Sequence, residues 1–273
     1  MWKSLMEPKA HKGCIYQGMM RRPFRKFRER QKQDISAPIP MRNQITNQRG
    51  DVIKSLIKAG NSLREAPMND LEKQEIFHAM TKHLLSDAKP SEYITALSYD
   101  ENYQINPFTM LWRLKATEQS EKYHPEGNVF NHTCLVLDEA SKVRDRARDQ
   151  KSFMWAALLH DIGKPDTTKA VRGRFTSYDH DKVGEKLCID FLSCFTNERE
   201  FIIRTAALVR YHMHMLYVMK KLPYADMRGL IKQVSIEDIA LLCRCDRLGR
   251  LGADVQAEEL QYSLFLDKLM SLK

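Results

Sequence analysis

The sequence predicts an all-α protein, and three observations carry that expectation. Apolar residues beyond residue 69 recur at helical spacing, while few segments alternate with period two. Glycine is sparse, at 11 in 273 residues, which disfavours a turn-rich β architecture. The longest apolar run, Phe153 to Leu159, is a buried-helix length and falls far short of the ~18 residues a membrane span needs. The expected architecture is a single compact multi-helix bundle over residues 69–273, preceded by a disordered basic arm.

That arm is residues 1–50. They hold twelve Lys and Arg against three acids, so they carry the whole formal charge of +9; the other 223 residues hold 32 of each sign. Arg21, Arg22, Arg25, Lys26, Arg28 and Arg30 form one block, followed by Pro38 and Pro40. Such a block is a solvated tail or a polyanion-binding one, and Phe24 and Phe27 offer faces for base stacking. A natural start at Met1 and one nearer Met41 are both open readings. Next, Asn69 and Asp70 offer N-caps to a helix over Leu71–Leu85, with Ile76, Phe77, Met80 and Leu84 on one face. Lys89-Pro90 turns the chain into a short helix ending at Leu97, and Pro107 breaks the following stretch. The turn His124-Pro125-Glu126-Gly127-Asn128 precedes a helix from Val129 to about Arg146. Further helices are expected near 151–161, 180–194, 198–219, 224–234, 236–247 and 254–271.

Six cysteines, at 14, 134, 188, 194, 243 and 245, show no paired-doublet zinc spacing. Cys243-x-Cys245 has no second pair to answer it, so buried thiols in a reducing compartment are expected. No apolar signal core stands near the start, and a cytoplasmic location follows as the expectation.

The chemistry lies in the histidines and two acids. His132 is one turn into its helix. His160 and Asp161 end the apolar run, and a reversal at Ile162-Gly163-Lys164-Pro165 follows. His180 opens a helix in which Gly184 permits close packing. His212 and His214 follow another apolar stretch, and Asp246 ends Ile239–Cys245. An acid at the inner end of an apolar helix is costly unless paired or metal-bound. Any one of these histidines alone reads as structural; together with the two acids they point to a metal centre. Imidazole with carboxylate suits Mg, Mn, Fe, Ni, Co or Zn without choosing among them.

His132, then His160-Asp161, then Asp246 resembles the ordered signature of the HD superfamily of metal-dependent phosphohydrolases. Leu158-Leu159-His160-Asp161-Ile162-Gly163-Lys164 has that superfamily's usual local form. The likeness is greatest to the HD domain of bacterial CCA-adding tRNA nucleotidyltransferases. Tyr123 to Thr133 is similar to their stretch before the first ligand, Asp246-Arg247-Leu248-Gly249-Arg250 to their last-ligand segment, and Tyr211-His212 lies where they have a further His. The resemblance spans residues 107–255. It lacks their nucleotidyltransferase head, since no Gly-Ser turn with an Asp-x-Asp pair occurs in residues 1–120. The hydrolytic half alone is therefore implied.

The resemblance implies that His132, His160, Asp161 and Asp246 hold one divalent ion, Mg, Mn, Co or Ni, whose activated water attacks phosphorus. His180 and His212 stand where two-metal members place extra ligands, with Asp161 bridging ions roughly 3.5–4 Å apart. Their other role is to bond the phosphate or protonate the leaving oxygen. Asp161, Lys164, His180 and His212 are thus the expected catalytic residues. Lys164, Arg247 and Arg250 are the expected phosphate or substrate contacts, with ion pairing to the acids of the core as the other role of the arginines. His214 is expected to face solvent, and Trp112 and Trp155 to belong to the core. The expected substrate is a nucleotide-like ester, a 2′,3′-cyclic phosphodiester or a nucleoside monophosphate, with RNA as a further partner through the basic arm and no membrane. The alternative is a nucleotide- or RNA-end-binding regulatory module with little turnover.

Overall fold

Residues 67–171 and 173–272 are described in the computed structural model, and the basic arm expected over 1–50 lies outside them. Helix α1 (Asp70–Ser86) starts at a capping box. The Asn69 side chain accepts the Glu72 N–H, and the Glu72 carboxylate accepts the Asn69 N–H at 2.9 Å. The helix buries Ile76, Phe77, Met80 and Leu84, the face its spacing predicts. Helices α2 (Pro90–Leu97) and α3 (Phe108–Trp112) follow, and α4 (Val129–Ser141) is capped by Asn128. Asp149 caps α5 (Gln150–Leu159), after which come the single turn α6 (Lys164–Thr167), α7 (His180–Ser193) and α8 (Arg199–Tyr211). The chain ends with α9 (His214–Met219), α10 (Met227–Gln233), α11 (Ile236–Leu248) and α12 (Val255–Met270).

Helix α5 is the axis of this all-α arrangement. Every residue from Phe153 to Leu159 is fully buried, and α1, α4, α8 and α11 pack around it. An apolar helix with no polar face is stable only when covered on all sides. Trp155 stacks on Phe77 with ring centroids 5.0 Å apart and donates its indole N–H to Thr81. Trp112 is buried as well, so both tryptophans serve the core as expected.

Three local expectations are corrected. The helix from Val129 stops at Ser141, five residues early. Beyond it Arg144 turns back and donates to the Ser86 and Asp87 carbonyls that end α1, a tertiary cap that continued helix would forbid. The helix expected over 198–219 is two helices, α8 and α9, broken where His212 turns its ring onto the Val209 carbonyl. A small antiparallel hairpin, β1 (Lys169–Val171) and β2 (Arg174–Thr176), pairs Ala170 with Phe175 between α6 and α7. Three-residue strands are too short to show alternation in sequence.

No helix among the described residues is long and apolar enough to cross a membrane. Cys188, Cys243 and Cys245 are buried free thiols, and burial pushes the latter two up to about 12.

Candidate metal centre

Five elements deliver six side chains to one buried point. His132 comes from the first turns of α4, His160 and Asp161 from the turn closing α5, and His180 from the start of α7. His212 follows α8, and Asp246 lies in the last turn of α11. All six are at most 7 % exposed. The chain folds so closely here because Gly163 lies against α7. A Cβ at Gly163 would stand 2.1 Å from the His180 carbonyl oxygen and 2.6 Å from the Gly184 nitrogen, so the residue must lack one.

The donors form two adjacent groups. His132, His160 and Asp246 offer one set, and Asp161, His180 and His212 another; within each, the ligand atoms lie within 4.8 Å of one another. His132 Nε2 is 2.9 Å from Asp246 Oδ1. Asp161 Oδ1 is 3.5 Å from His180 Nε2 and 3.7 Å from His212 Nε2, while its Oδ2 is 3.3 Å from His160 Nε2. The two oxygens of Asp161 thus face different groups. The sequence set His132, His160, Asp161 and Asp246 is brought together, with Asp161 turned toward its second neighbours.

Tautomers can be read from the partners. His160, His180 and His212 each direct Nδ1 at a backbone carbonyl, of Ala157, Ser177 and Val209, at 2.9, 2.6 and 2.6 Å. A carbonyl accepts only, so Nδ1 carries the proton and Nε2 presents a lone pair. His180 Nε2 and His212 Nε2 are 3.2 Å apart, two acceptors face to face. His160 Nε2 is buried without a hydrogen-bond partner. Each of these features is unfavourable by itself, and each is relieved by a cation held among the donors. The donor chemistry therefore fits a divalent ion.

At His160 burial opposes protonation, but Asp161 and Asp246 outweigh it and raise the pKa of the ring, so an ion bound there would displace a proton; the other two rings differ. Burial lowers His180, and burial together with neighbouring His180 and His160 lowers His212 to about 3, so both rings are neutral donors. Burial opposes ionisation of Asp161 and Asp246. Lys164 and His160 beside Asp161, and Arg250 and His132 beside Asp246, outweigh it and hold both well below the carboxylate range.

The remaining expected residues divide. Lys164 is buried, with Nζ 2.7 Å from Asp161 Oδ2 and donating to Gln119 at 3.0 Å. Arg250 Nη2 sits 3.5 Å from both oxygens of Asp246, and its Nε is buried without a partner. Arg247 instead forks onto Glu258, the ion-pair role that its sequence also allowed. A narrow cleft lined by His212, Met215, Asp246 and Arg250 adjoins the centre. His214 corrects its expectation. It is fully buried, and its Nε2 accepts the Asp226 N–H at 3.1 Å, an acceptor inside the fold that periodicity does not reveal.

Sequence reasoning missed His124, Glu126 and Gln119. Glu126 has a side chain only 3 % exposed and lies 3.0 Å from His132 Nδ1. Burial opposes its ionisation, but bonds from His132, His124 and the Leu251 N–H lower it to about 2. The signal was present in an acid placed inside the turn just ahead of a His-bearing helix. A separate cavity of about 630 Å³ lies along the outer face of α4, lined by Tyr99, Lys115, Asn128, Asn131 and Glu126 among others.

Comparison with known proteins adds relatives to this geometry. Residues 129–251 match the family model of the HD domain. The chain is similar to the multifunctional CCA protein of Actinobacillus pleuropneumoniae serotype 5b (strain L20), 30% identical over 149 residues, covering 51% of this chain and 35% of that protein. It is 31% identical over 154 residues to the same-named protein of Alkalilimnicola ehrlichii, covering 53% and 35%. With that of Laribacter hongkongensis it shares 27% over 205 residues, covering 71% and 47%. The chain spans between a third and a half of the length of these curated relatives. The match region contains all six buried donors.

Proposed function

We propose, on the premise that this chain carries an HD domain, that it is a divalent-metal-dependent phosphohydrolase acting on a nucleotide-like phosphate ester. One observation carries the reading: two imidazole lone pairs, His180 Nε2 and His212 Nε2, are held 3.2 Å apart beside the Asp161 carboxylate. His132, His160 and Asp246 would hold one ion; Asp161, His180 and His212 would hold a second. A divalent ion there supplies Lewis acidity that acidifies water and offsets charge on phosphoryl oxygens.

The chain's own residues do the rest. Lys164 brings a positive charge to the side of Asp161, where it can pass from Gln119 to a phosphoryl oxygen. Arg250, with a buried unpaired Nε at the adjoining cleft, would grip a second phosphoryl oxygen. His180 and His212, neutral and with Nδ1 bonded to backbone carbonyls, present acceptors rather than spare protons, so their catalytic part would be as ligands. Burial of the whole centre keeps bulk water from the donors.

The substrate class we favour is a 2′,3′-cyclic phosphodiester or a nucleoside monophosphate. Its support is the likeness to relatives named multifunctional CCA proteins. The buried free thiols suit a reducing compartment, and we place the protein in the cytoplasm. A second reading, a nucleotide- or RNA-end-binding module, draws on the charge of residues 1–50, which carry twelve Lys and Arg. Truncating residues 1–40 separates the two. The module loses RNA affinity and its salt dependence; the hydrolase keeps small-ester turnover.

The test is phosphate release from 2′,3′-cyclic nucleotides, 2′-, 3′- and 5′-monophosphates and a generic diester, each with Mg, Mn, Co or Ni. Metal-dependent turnover abolished in a folded Asp161→Ala variant is the expected result. No turnover on any ester would sink the hydrolase and favour the module.

A further inference from the structure

Helix α4 borders two different spaces. His132, Val136 and Leu137 are buried toward the core, while Asn131, Leu135 and Asp138 line the cavity of about 630 Å³ on its outer side. Residues three and four apart share a helix face, so the cavity and the metal centre lie against different faces of one helix. The volume is that of a pocket for a small ligand, ~300–1,000 Å³. Lys115, in the turn after α3, brings the cavity a cation. Its ammonium donates to the Ser98 carbonyl at 2.9 Å and lies 3.7 Å from the Tyr99 ring centre and 5.2 Å from that of Phe130. Among the described residues it pairs with no carboxylate, and burial lowers its pKa, as for an ammonium short of counter-charge. The two acids of the lining are both held by donors. Asp138 accepts the Ser91 N–H at 3.2 Å and the Ser91 hydroxyl at 2.7 Å, and Glu126 accepts the Leu251 N–H at 3.2 Å.

We infer that this cavity is a second binding site, apart from the metal centre, for a nucleoside monophosphate, with Lys115 on the phosphate and Tyr99 against the base. An anion entering the cavity meets a cation to which no acid is paired, and a phosphate gives it the counter-charge it lacks. Tyr99 is 74% exposed, a large ring kept in water at the cavity wall. Bases stack on such rings whatever their sequence identity, because every base has a π-face. Asn131 spends its amide N–H on the Glu126 carbonyl at 2.9 Å, which leaves its oxygen to accept from a base amino group. Charge, ring and amide together suit a nucleotide better than a simple anion or an uncharged ring. The site needs no metal and stands or falls without one.

The experiment titrates the full chain by calorimetry, with chelator present, against the 5′-monophosphates of adenosine, guanosine, cytidine and uridine. Inorganic phosphate and adenosine are run as separate arms. At least one monophosphate is expected to bind with a Kd of about 1 mM or tighter, and either half alone more weakly. Lys115→Gln keeps the stem and removes the charge, and Tyr99→Ala removes the ring; each is expected to weaken binding at least about tenfold. Tyr99→Phe keeps the ring and is expected to bind as the unsubstituted protein does. Tyr99 is exposed, so its variants are expected to keep the fold, which thermal melts check. No binding by any monophosphate, or affinity within twofold in folded Lys115→Gln or Tyr99→Ala, overturns the inference. A loss confined to Lys164→Ala does the same, since it places the nucleotide at the centre. Turnover with metal is a separate readout, and its absence would sink the hydrolase while leaving this site standing.

Discussion

His160 and Asp161 were legible in sequence because acid and imidazole end the most apolar helix of the chain, where neither belongs without a partner. The structure gives His160 the Ala157 carbonyl on one nitrogen and leaves the other bare. Glu126 was not legible, because a glutamate in a Pro-Gly turn reads as solvent-exposed until the fold buries it against His132. His214 failed in the same way, since its partner is a backbone N–H twelve residues on. At this scale the sharpest prediction concerns Lys164. Its ammonium bridges Asp161 and Gln119 and is the nearest cation for a phosphoryl oxygen. Lys164→Ala should lower kcat/KM by about 10–150-fold, the worth of a charge-assisted bond of ~1.5–3 kcal/mol. Bound metal should be retained. Steady-state kinetics beside a metal assay check this, and kcat/KM within twofold would remove Lys164 from the reaction.

Element boundaries were legible wherever a cap announced them. Asn69, Asn128, Asp149, Ser235 and Asp254 each accept a backbone N–H at a helix start. Ends set by tertiary partners were not, and the early stop of α4 and the break after α8 are both of that kind. Two predictions belong here. Asp149→Ala uncaps α5, the helix that ends in His160, and should cost about 1 kcal/mol. For a domain of this size that is a Tm loss of roughly 2–4 °C. Burial opposes ionisation of Asp149, but bonds from Ser152 and Arg204 hold it below the usual range. A depressed carboxyl stabilises above its unfolded value and loses that contribution as pH falls through the folded one. The difference between Asp149→Ala and the unsubstituted protein should therefore be full at pH 7 and shrink below about pH 4. Thermal melts across pH check it, and a constant difference would contradict it. Gly163→Ala drives a Cβ into the His180 carbonyl. Overpacking of this kind costs about 1–3 kcal/mol. Because backbone must move, the variant should hold the ion at His132, His160 and Asp246 more firmly than the ion at Asp161, His180 and His212.

For the whole molecule, the all-α class followed from the apolar pattern, while the meeting of residues 132, 160, 161 and 246 was implied by the resemblance to the HD superfamily. The division of donors into two groups was not, since only the fold decides which oxygen of Asp161 faces which ring. Ligand binding to the native state alone stabilises by mass action, about 2.7 kcal/mol at a hundred times Kd. Adding Mn²⁺ to chelator-treated protein should raise Tm by roughly 5–10 °C. Asp246→Ala should lose most of that rise, and a Tm indifferent to metal would argue that the histidines are structural. The measurement that bears most directly on the central claim is bound divalent metal per chain. It would be taken by elemental analysis after equilibrium dialysis, for the full chain and for folded Asp161→Ala and Asp246→Ala. The account predicts between one and two ions in the full chain and a clear loss in each variant. Background metal in the full chain, or undiminished metal in both variants, would contradict it.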